Sequence, residues 1–545
     1  MSKLNRQATS ERASCKHIVR ATPLRHANQA TPLSIGVVLL FYTVVAFAET
    51  TYAAETLTIS TGPIRGTESK DETVEAFKGI PYAAPPVGDL RWRPPQEPQA
   101  WEEVRECDKF GPKALQNKKT EGQSEDCLYL NVWRPREASD SPLPVMVWIH
   151  GGGFTQGSGH EASYDGTALA KRGVVLVTIN YRLGAFGFMA HPDLSAESEH
   201  SASGNYAILD QIKALEWVQK NIAKFGGDPN RVTIFGESAG GTSVYLLTAT
   251  PLSKGLFHGA ILQSPWLDPV IFRDLKQESP TGPAAEVDGE EQTRKLFGED
   301  EENILAKLRA LPAEDVLSKI KQRWPVATDG WVFPQTPYQI YAEGQQHDIP
   351  TMIGTNQDEG TMFAPRTPFG GTLESFEDAM VERFGESGKE VAEFYSPEPA
   401  EDLRKSAVQL ITDTWFVQPA REFARAMNKQ GTPTYMYHFT KPVWGWMGAA
   451  HAAEIQYVFG NLNNPNAADA KLQDLFSSYW VQFAKTGNPN PPGVDAWPQF
   501  VSGQEEHLIM NDEIKVEANL RAEACDLLDK VLEQNRNPAP AAISD

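Results

Sequence analysis

Short hydrophobic runs alternate along this chain with stretches of helical periodicity. The runs predict buried strands at 145–149, 174–180, 232–235, 259–263, 351–354 and 434–439. Between two of them, apolar residues recur every three or four positions from Ile208 to Phe225, which indicates a helix ending at Gly226 and Gly227. This alternation predicts an α/β protein with a mostly parallel sheet covered by helices on both faces. Ligands of such sheets bind beyond the carboxyl ends of the strands.

The chain shows a single change of character, near its amino terminus. Six basic residues precede an uncharged stretch at 35–48 that ends in Ala46, Phe47 and Ala48. This pattern predicts a secretory signal at 1–48, with cleavage after Ala48 or as late as Ala54, and hence a secreted or periplasmic protein. An uncleaved anchor is the alternative, although the stretch is too short to span a bilayer, and no stable membrane insertion of the mature chain is expected.

No repeat, charge run or linker divides the remainder, so 49–545 is expected to form one domain. Helical insertions are expected at about 270–345 and 361–430. A hydrophobic content of 41% in 545 residues is enough for a large core.

Charge narrows the range of partners. The net charge is −21 for the whole chain and −26 after removal of 1–48, so the protein repels phosphate backbones and no nucleic-acid partner is expected. The sequence contains no H-E-x-x-H pattern or other metal-ligand spacing, and neither a metal nor a cofactor is expected.

The predicted strand at 232–235 runs directly into "GESAGG", where Ser238 stands at the centre of a G-x-S-x-G pattern. A helix at 242–250 follows and stops at Pro251. A strand that turns sharply into a helix needs small residues beside a strained nucleophile, and the glycines supply that space. The pattern alone leaves open whether Ser238 is a nucleophile or part of a tight turn.

A second strand end carries the segment "HGGGF", residues 150–154. Glycine residues allow backbone N–H groups to approach an anion closely. In acyl transfer that anion is the oxygen of the tetrahedral intermediate. A flexible loop is the alternative interpretation.

A serine nucleophile needs a base, and the base needs an acid to orient it. Asp358 and Glu359 are the acid candidates, since both follow the predicted strand at 351–354. Among the histidines beyond them, His438 falls inside a predicted strand and His507 is expected on an exposed turn. His451, in the loop "MGAAHAAE", is therefore the candidate base.

Six segments together resemble the type-B carboxylesterases, the family that includes the cholinesterases. They occur in the family's order from about residue 55 to 530 and read "FKGIPYAAPPVGDLRWRPP", "SEDCLYLNVW", "HGGGF", "FGGDPNRVTIFGESAGG", "GTNQDEG" and "HAAEIQYVFG". The resemblance implies an α/β-hydrolase fold. It also implies that Ser238 is the nucleophile, His451 the base and Glu359, rather than Asp358, the acid.

The same resemblance implies an oxyanion hole made by the backbone N–H groups of Gly152, Gly153 and Ala239. It implies a disulfide between Cys107 and Cys127, whose closeness in sequence also favours a bridge in an exported protein. Cys525, on a predicted amphipathic helix, is expected to be a buried free thiol.

Glu237 and Ser264 match family positions that support the triad through buried polar contacts. The chain departs from the family at Ala452, where glycine usually follows the catalytic histidine. Residues 108–126 contain no tryptophan, so choline esters are not expected as substrates.

The resemblance therefore implies a serine esterase that acts on a small-molecule carboxylic ester through an acyl-enzyme. A broad or bulky-ester carboxylesterase is the first expectation, an esterase dedicated to one large ester the second, and a binding protein on the same scaffold the third. Five aromatic residues are expected to line an apolar pocket: Trp266, Trp331, Phe363, Trp444 and Trp446.

Overall fold

The computed structural model describes residues 55–117, 121–137, 139–299, 302–321, 323–365, 371–397, 402–494 and 496–536. The predicted signal sequence, 1–48, lies outside the described residues, as does Ala54. None of the described helices is long and apolar enough to cross a lipid bilayer.

An eleven-stranded sheet organises the fold. Its strands are β1 (Thr67–Glu68), β2 (Val74–Pro81), β3 (Tyr129–Pro135), β4 (Leu143–Ile149), β5 (Val175–Ile179), β6 (Gly227–Glu237), β7 (Gly259–Gln263), β8 (Thr351–Asn356), β9 (Thr434–Phe439), β10 (Glu506–Met510) and β11 (Lys515–Ala518). Across the sheet they lie in the order β11-β10-β9-β8-β7-β6-β4-β5-β3-β2-β1. Neighbours from β10 to β5 are parallel, and the strands at both edges are antiparallel.

Helices surround this sheet. They are α1 (Thr167–Ala170), α2 (Gly184–Phe188), α3 (Pro192–Glu197), α4 (Tyr206–Asn221), α5 (Ala239–Ala249), α6 (Ala285–Phe297), α7 (Ile304–Ala310), α8 (Ala313–Lys319), α9 (Pro337–Ala342), α10 (Leu373–Phe384), α11 (Gly388–Tyr395), α12 (Leu403–Thr412), α13 (Gln418–Lys429), α14 (Ile455–Phe459), α15 (Ala467–Thr486) and α16 (Ala522–Arg536). A π-helical turn, Asp413–Val417, joins α12 to α13.

Alternate residues of β4 pack into two separate cores, because successive side chains of a strand point to opposite faces. Val145 and Val147 belong to the core that contains α4 and α5. Met146 and Trp148 belong to the core that contains α14 and α15. Helices therefore cover both faces, which confirms the predicted α/β class.

The strand and helix positions expected from the periodicity agree closely with the structure. The strands at 259–263 and 434–439 have the predicted bounds, and the predicted crossover helix is α4 followed by a 3₁₀ turn, Ile222–Phe225. Region 270–345 contains α6 to α9 and also a small parallel pair, Phe272–Asp274 with Val326–Thr328.

The expectation for His507 is wrong. Its side chain is buried in β10, and Glu505, two residues earlier, is buried as well. Glu505 forms ion pairs with Arg421 and Arg425 of α13, which neutralise a charge that would otherwise favour a solvent-exposed turn.

The disulfide expected from the family is not formed in the structure. Cys107 and Cys127 are free cysteines, both buried within the same hydrophobic core. Burial raises the pKa of both thiols, that of Cys107 to about 12. Cys525 is free and buried, as expected.

Candidate active site

Ser238 occupies the sharp turn between β6 and α5. Its backbone has φ 57° and ψ −124°, a conformation that an ordinary residue adopts only under constraint. The adjacent glycines permit this turn, since a Cβ on Gly240 would lie 2.0 Å from the carbonyl oxygen of Ile149. The Ser238 N–H donates to the oxygen of Gln263 at 3.0 Å, which ties the turn to the end of β7.

The glycine segment after β4 folds back beside this turn. Gly152 has φ 105° and Gly153 φ 61°, and a Cβ on Gly152 would lie 2.1 Å from the oxygen of Gln156. A Cβ on Gly151 would lie 3.0 Å from the Cβ of Ser238, so the two segments are in contact. Only glycine therefore fits at this approach of two backbones.

Three backbone N–H groups are left without an acceptor at this point. Among the hydrogen bonds of the described residues, none is donated by the amides of Gly152, Gly153 or Ala239. Ala239 is the first residue of α5, where an amide has no acceptor within its own helix. These amides are available to an anion that enters beside Ser238.

His451 and Glu359 meet at the same edge of the sheet. The Nδ1 of His451 lies 2.6 Å from the Oε2 of Glu359, and both side chains are buried. The other Glu359 oxygen accepts a hydrogen bond from the backbone N–H of Asn356 at 2.7 Å. Asp358 has a different contact, because its carboxylate accepts from the N–H of Ala449 at 2.8 Å and so anchors the loop that carries His451.

The opposite nitrogen of His451 faces Glu237. Its Nε2 lies 3.0 Å from the Oε1 of Glu237, and the hydrogen bonds of the described residues do not include one between His451 and Ser238. Burial raises the pKa of Glu237 to about 8. Desolvation lowers the pKa of His451, but the charges of Glu237 and Glu359 outweigh it and raise that pKa to about 9.

A buried glutamate that the sequence analysis did not single out connects these loops. Glu454 accepts from Gln263 Nε2 at 2.9 Å and from Asn356 Nδ2 at 2.7 Å. The indole N–H of Trp480 in turn donates to the side-chain oxygen of Gln263, Oε1, at 3.0 Å. The network fixes the ends of β7 and β8 relative to the histidine loop. Its only sequence signal is the position of Glu454 three residues after His451.

Ser264 has fewer contacts than expected. Its backbone N–H donates to Gly354 at 2.8 Å, and its φ of 43° marks a second sharp turn, after β7. Its buried hydroxyl has no hydrogen-bond partner among the described residues.

Aromatic side chains pack against the imidazole of His451. The rings of Phe363 and Phe416 lie 5.0 Å and 4.9 Å from that of His451. Trp415 continues the wall from Phe363, with ring centroids 5.5 Å apart, and Trp266 lies 5.9 Å from Trp415. Phe363 and Trp266 were expected near the site on sequence grounds.

Trp331 and Trp446 lie apart from this aromatic wall. Trp331 stacks on His200 at 3.8 Å, beside a separate cavity of about 410 Å³. Trp446 is 75% exposed. Within the described ranges no group of three or more histidine, cysteine, aspartate or glutamate side chains is arranged to hold a metal ion.

Residues 53–528 match the model of the carboxylesterase family. The chain belongs to this family. As a carboxylesterase it is an enzyme that hydrolyses carboxylic esters, and its fold is the α/β-hydrolase fold.

Carboxylesterases of different sources are similar to it over most of their length. Fumonisin B1 esterase of Sphingopyxis macrogoltabida is 40% identical, over 81% of this chain and 83% of the relative. Para-nitrobenzyl esterase of Bacillus subtilis (strain 168) is 38% identical, over 86% and 97% respectively. A solved structure of PNB esterase matches with a TM-score of 0.76 at 35% identity, covering 87% of this chain and 99% of that one.

The departure of this carboxylesterase at Ala452 has a structural counterpart. Ala452 has φ 68°, in the left-handed region where glycine is favoured. The loop thus keeps the conformation that glycine would allow, and the alanine adopts it at a cost.

Proposed function

We propose that this carboxylesterase acts through a triad in which Ser238 is the nucleophile, His451 the general base and Glu359 the acid that orients it. The observation that carries the proposal is the 2.6 Å contact between His451 Nδ1 and Glu359 beside the strained turn at Ser238. A carboxylate at Nδ1 holds the proton there and leaves Nε2 free to accept one.

In this mechanism Nε2 must move from Glu237 to the hydroxyl of Ser238. Such hydrogen bonds are often long without substrate and tighten only in the complex. His451 then accepts the serine proton as Oγ attacks the ester carbonyl, and Glu359 stabilises the imidazolium. The imidazolium returns that proton to the leaving alcohol, and water hydrolyses the acyl-enzyme by the same base.

The amides of Gly152, Gly153 and Ala239 are proposed as the oxyanion hole. These amides lie beside the sharp turn that carries Ser238, and they have no acceptor among the described residues. One donor in such a site typically contributes about 10²- to 10³-fold to kcat. Glu237 is proposed to control the charge of His451, and Ser264 to support the turn behind it.

For the substrate, a broad carboxylesterase that accepts bulky esters is the first proposal. The aromatic wall of Trp266, Trp415, Phe363 and Phe416 supports it, since such surfaces bind apolar groups of varied shape. An esterase dedicated to one large ester is the second, because the 40% identical relative is a fumonisin B1 esterase.

Two measurements test the mechanism and the substrate range. Ser238→Ala should abolish both ester hydrolysis and labelling by a fluorophosphonate, whereas Ser264→Ala should still be labelled. Labelling of Ser238→Ala would mean that another serine is the nucleophile. A panel of p-nitrophenyl esters, a p-nitrobenzyl ester and fumonisin B1 separates the two substrate proposals. Comparable kcat/KM values across the panel support a broad carboxylesterase. A high kcat/KM for one ester alone supports an esterase dedicated to that ester.

We also propose, from the sequence, that the enzyme is exported and that Cys107 and Cys127 form a disulfide. An amino-terminal signal at 1–48 would place the mature enzyme outside the cytoplasm, where Cys107 and Cys127 can be oxidised. The closeness of the two cysteines in sequence supports their pairing.

A further inference from the structure

A cationic side chain lies beside the proposed oxyanion hole. The Nη2 of Arg323 is 3.4 Å from the position that a Cβ on Gly153 would take, and the next atom there, the Thr155 hydroxyl, is 3.9 Å away. The guanidinium therefore faces the open side of Gly153, within a few ångströms of the amide proposed to bind the oxyanion.

The guanidinium of Arg323 packs against the ring of Trp266. The Cζ of Arg323 lies 4.0 Å from the centroid of the Trp266 ring, a distance typical of cation–π stacking. Arg323 is an exposed residue, and the stack holds its cation against Trp266, which belongs to the aromatic wall that leads to His451.

Arg323 has no carboxylate partner among the described residues. Other arginines of this acidic chain form close ion pairs, such as Arg182 with Asp210 at 2.7 Å. Desolvation lowers the pKa of Arg323, and the charge of Asp268 offsets this only in part. Asp268 is itself paired with Arg383 at 2.8 Å. The guanidinium of this exposed residue is thus charged and has no close anionic partner among the described residues.

We propose that Arg323 is a specificity residue that binds a carboxylate carried by the substrate a few bonds from the scissile carbonyl. The preferred substrates are then half-esters of short dicarboxylic or polycarboxylic acids, or esters of hydroxy acids, rather than uncharged esters. This inference rests on the proposed esterase function and deepens it.

The chemistry of arginine suits this task. Its planar guanidinium offers paired N–H donors that match a carboxylate, and the contact with Trp266 holds it beside Gly153 before substrate arrives. Preordering of this kind reduces the entropy lost on binding. An anion otherwise meets unfavourable surroundings here, because Glu237, Glu359 and Glu454 are buried around the imidazole. The cation of Arg323, beside Gly153, offsets that repulsion for a substrate carboxylate.

The test compares charged and neutral esters of matched size. Monobenzyl succinate and monobenzyl glutarate place the carboxylate on the acyl side, with benzyl butyrate as the neutral partner. O-Butyrylglycolate places it on the alcohol side, with propyl butyrate as its neutral partner. Hydrolysis is followed by chromatography of the products in the wild type, Arg323→Gln, Arg323→Lys and a control, Arg294→Gln, an exposed arginine on α6.

We expect Arg323→Gln to lower kcat/KM for at least one charged series by about 10- to 100-fold, mainly through KM, as for loss of a charge-assisted hydrogen bond. The neutral esters should change less than about threefold. Arg323→Lys should retain an intermediate preference, and Arg294→Gln should match the wild type. The series that loses most identifies the side of the ester that carries the carboxylate.

Free succinate or glutarate provides a second measurement. Either should inhibit benzyl butyrate hydrolysis competitively in the wild type and at least tenfold more weakly in Arg323→Gln. An equal loss for charged and neutral esters would overturn the proposal, since Arg323 would then act on the oxyanion common to both. No effect on either would also overturn it. If the wild type hydrolyses no ester at all, the proposed function itself fails, which is a distinct outcome.

Discussion

The charge of Glu237 should set the pH at which this enzyme becomes active. His451 must be neutral to accept a proton from Ser238, so activity rises with pH through the pKa of the imidazole. Glu237 lies 3.0 Å from the Nε2 of His451, and its negative charge favours the imidazolium. Replacing it by the isosteric glutamine removes the charge and lowers the pKa of His451. The acid limb of the kcat/KM profile should therefore move to lower pH in Glu237→Gln.

The size of this shift follows from the distance and the burial. Two unit charges 3.0 Å apart interact by about 5 kcal/mol at an effective dielectric constant of about 20, equivalent to a pKa shift of about 4. Burial raises the pKa of Glu237 itself to about 8, so below that pH its carboxyl carries only part of its charge. The two groups share protons as a coupled pair. We therefore expect the acid limb to move by about one to two pH units.

The assay measures kcat/KM for p-nitrophenyl butyrate between about pH 4.5 and 10, at a wavelength where product absorbance does not depend on pH. Glu377→Gln, an exposed glutamate on α10, serves as the control and should keep the wild-type profile. The plateau height is not the test, since an amide beside Nε2 can also alter its hydrogen bonding. An acid limb that stays in place, or moves to higher pH, would refute the reasoning, because Glu237 would then be neutral throughout or act on another group.

Two further predictions concern the histidine loop and the cysteines. Ala452→Gly should remove the strain of an alanine in the left-handed region, which costs about 1–2 kcal/mol of folding free energy. The greater freedom of glycine in the unfolded chain offsets about 0.5–1 kcal/mol of this gain. A small rise in Tm, with unchanged kcat/KM, is expected in a thermal unfolding assay, and a fall in Tm would contradict it. If the enzyme is exported and bridged, thiol titration of the denatured mature chain should detect one thiol, that of Cys525, and three after reduction. Three thiols without reduction would exclude the bridge.

Local patterns of apolar residues and glycines in the sequence predict most of the strands and helices of the fold. The strands at 259–263 and 434–439 are predictable because β7 and β9 are buried on both faces and so consist mainly of apolar and aromatic residues. The nucleophile turn and the glycine segment are predictable for a related reason, since close approach of two backbones leaves glycine as the only residue that fits.

Contacts between distant segments were not predictable from such patterns. His507 was placed on an exposed turn because two glutamates precede it, and only the arginines of α13, about 80 residues earlier, explain how Glu505 is buried. Glu454 was missed for the same reason, since its partners Gln263 and Asn356 lie on separate strands. Hydrophobicity alone does not distinguish a wall of the substrate pocket from other surfaces, since Trp331 stacks on His200 and Trp446 is 75% exposed.

The polar groups of the site fall into two sets with different roles. Glu237, Glu359 and Glu454 are buried around His451 and determine where protons reside. Arg323 lies on the open side of Gly153, where no proton transfer is required, and its fixed charge can act only on a ligand. Because the glutamates contact or surround His451 whereas Arg323 lies beside Gly153, changes in the two sets should have separable effects. Glu237→Gln should move the pH profile equally for charged and neutral esters, whereas Arg323→Gln should change the ratio between these esters at every pH.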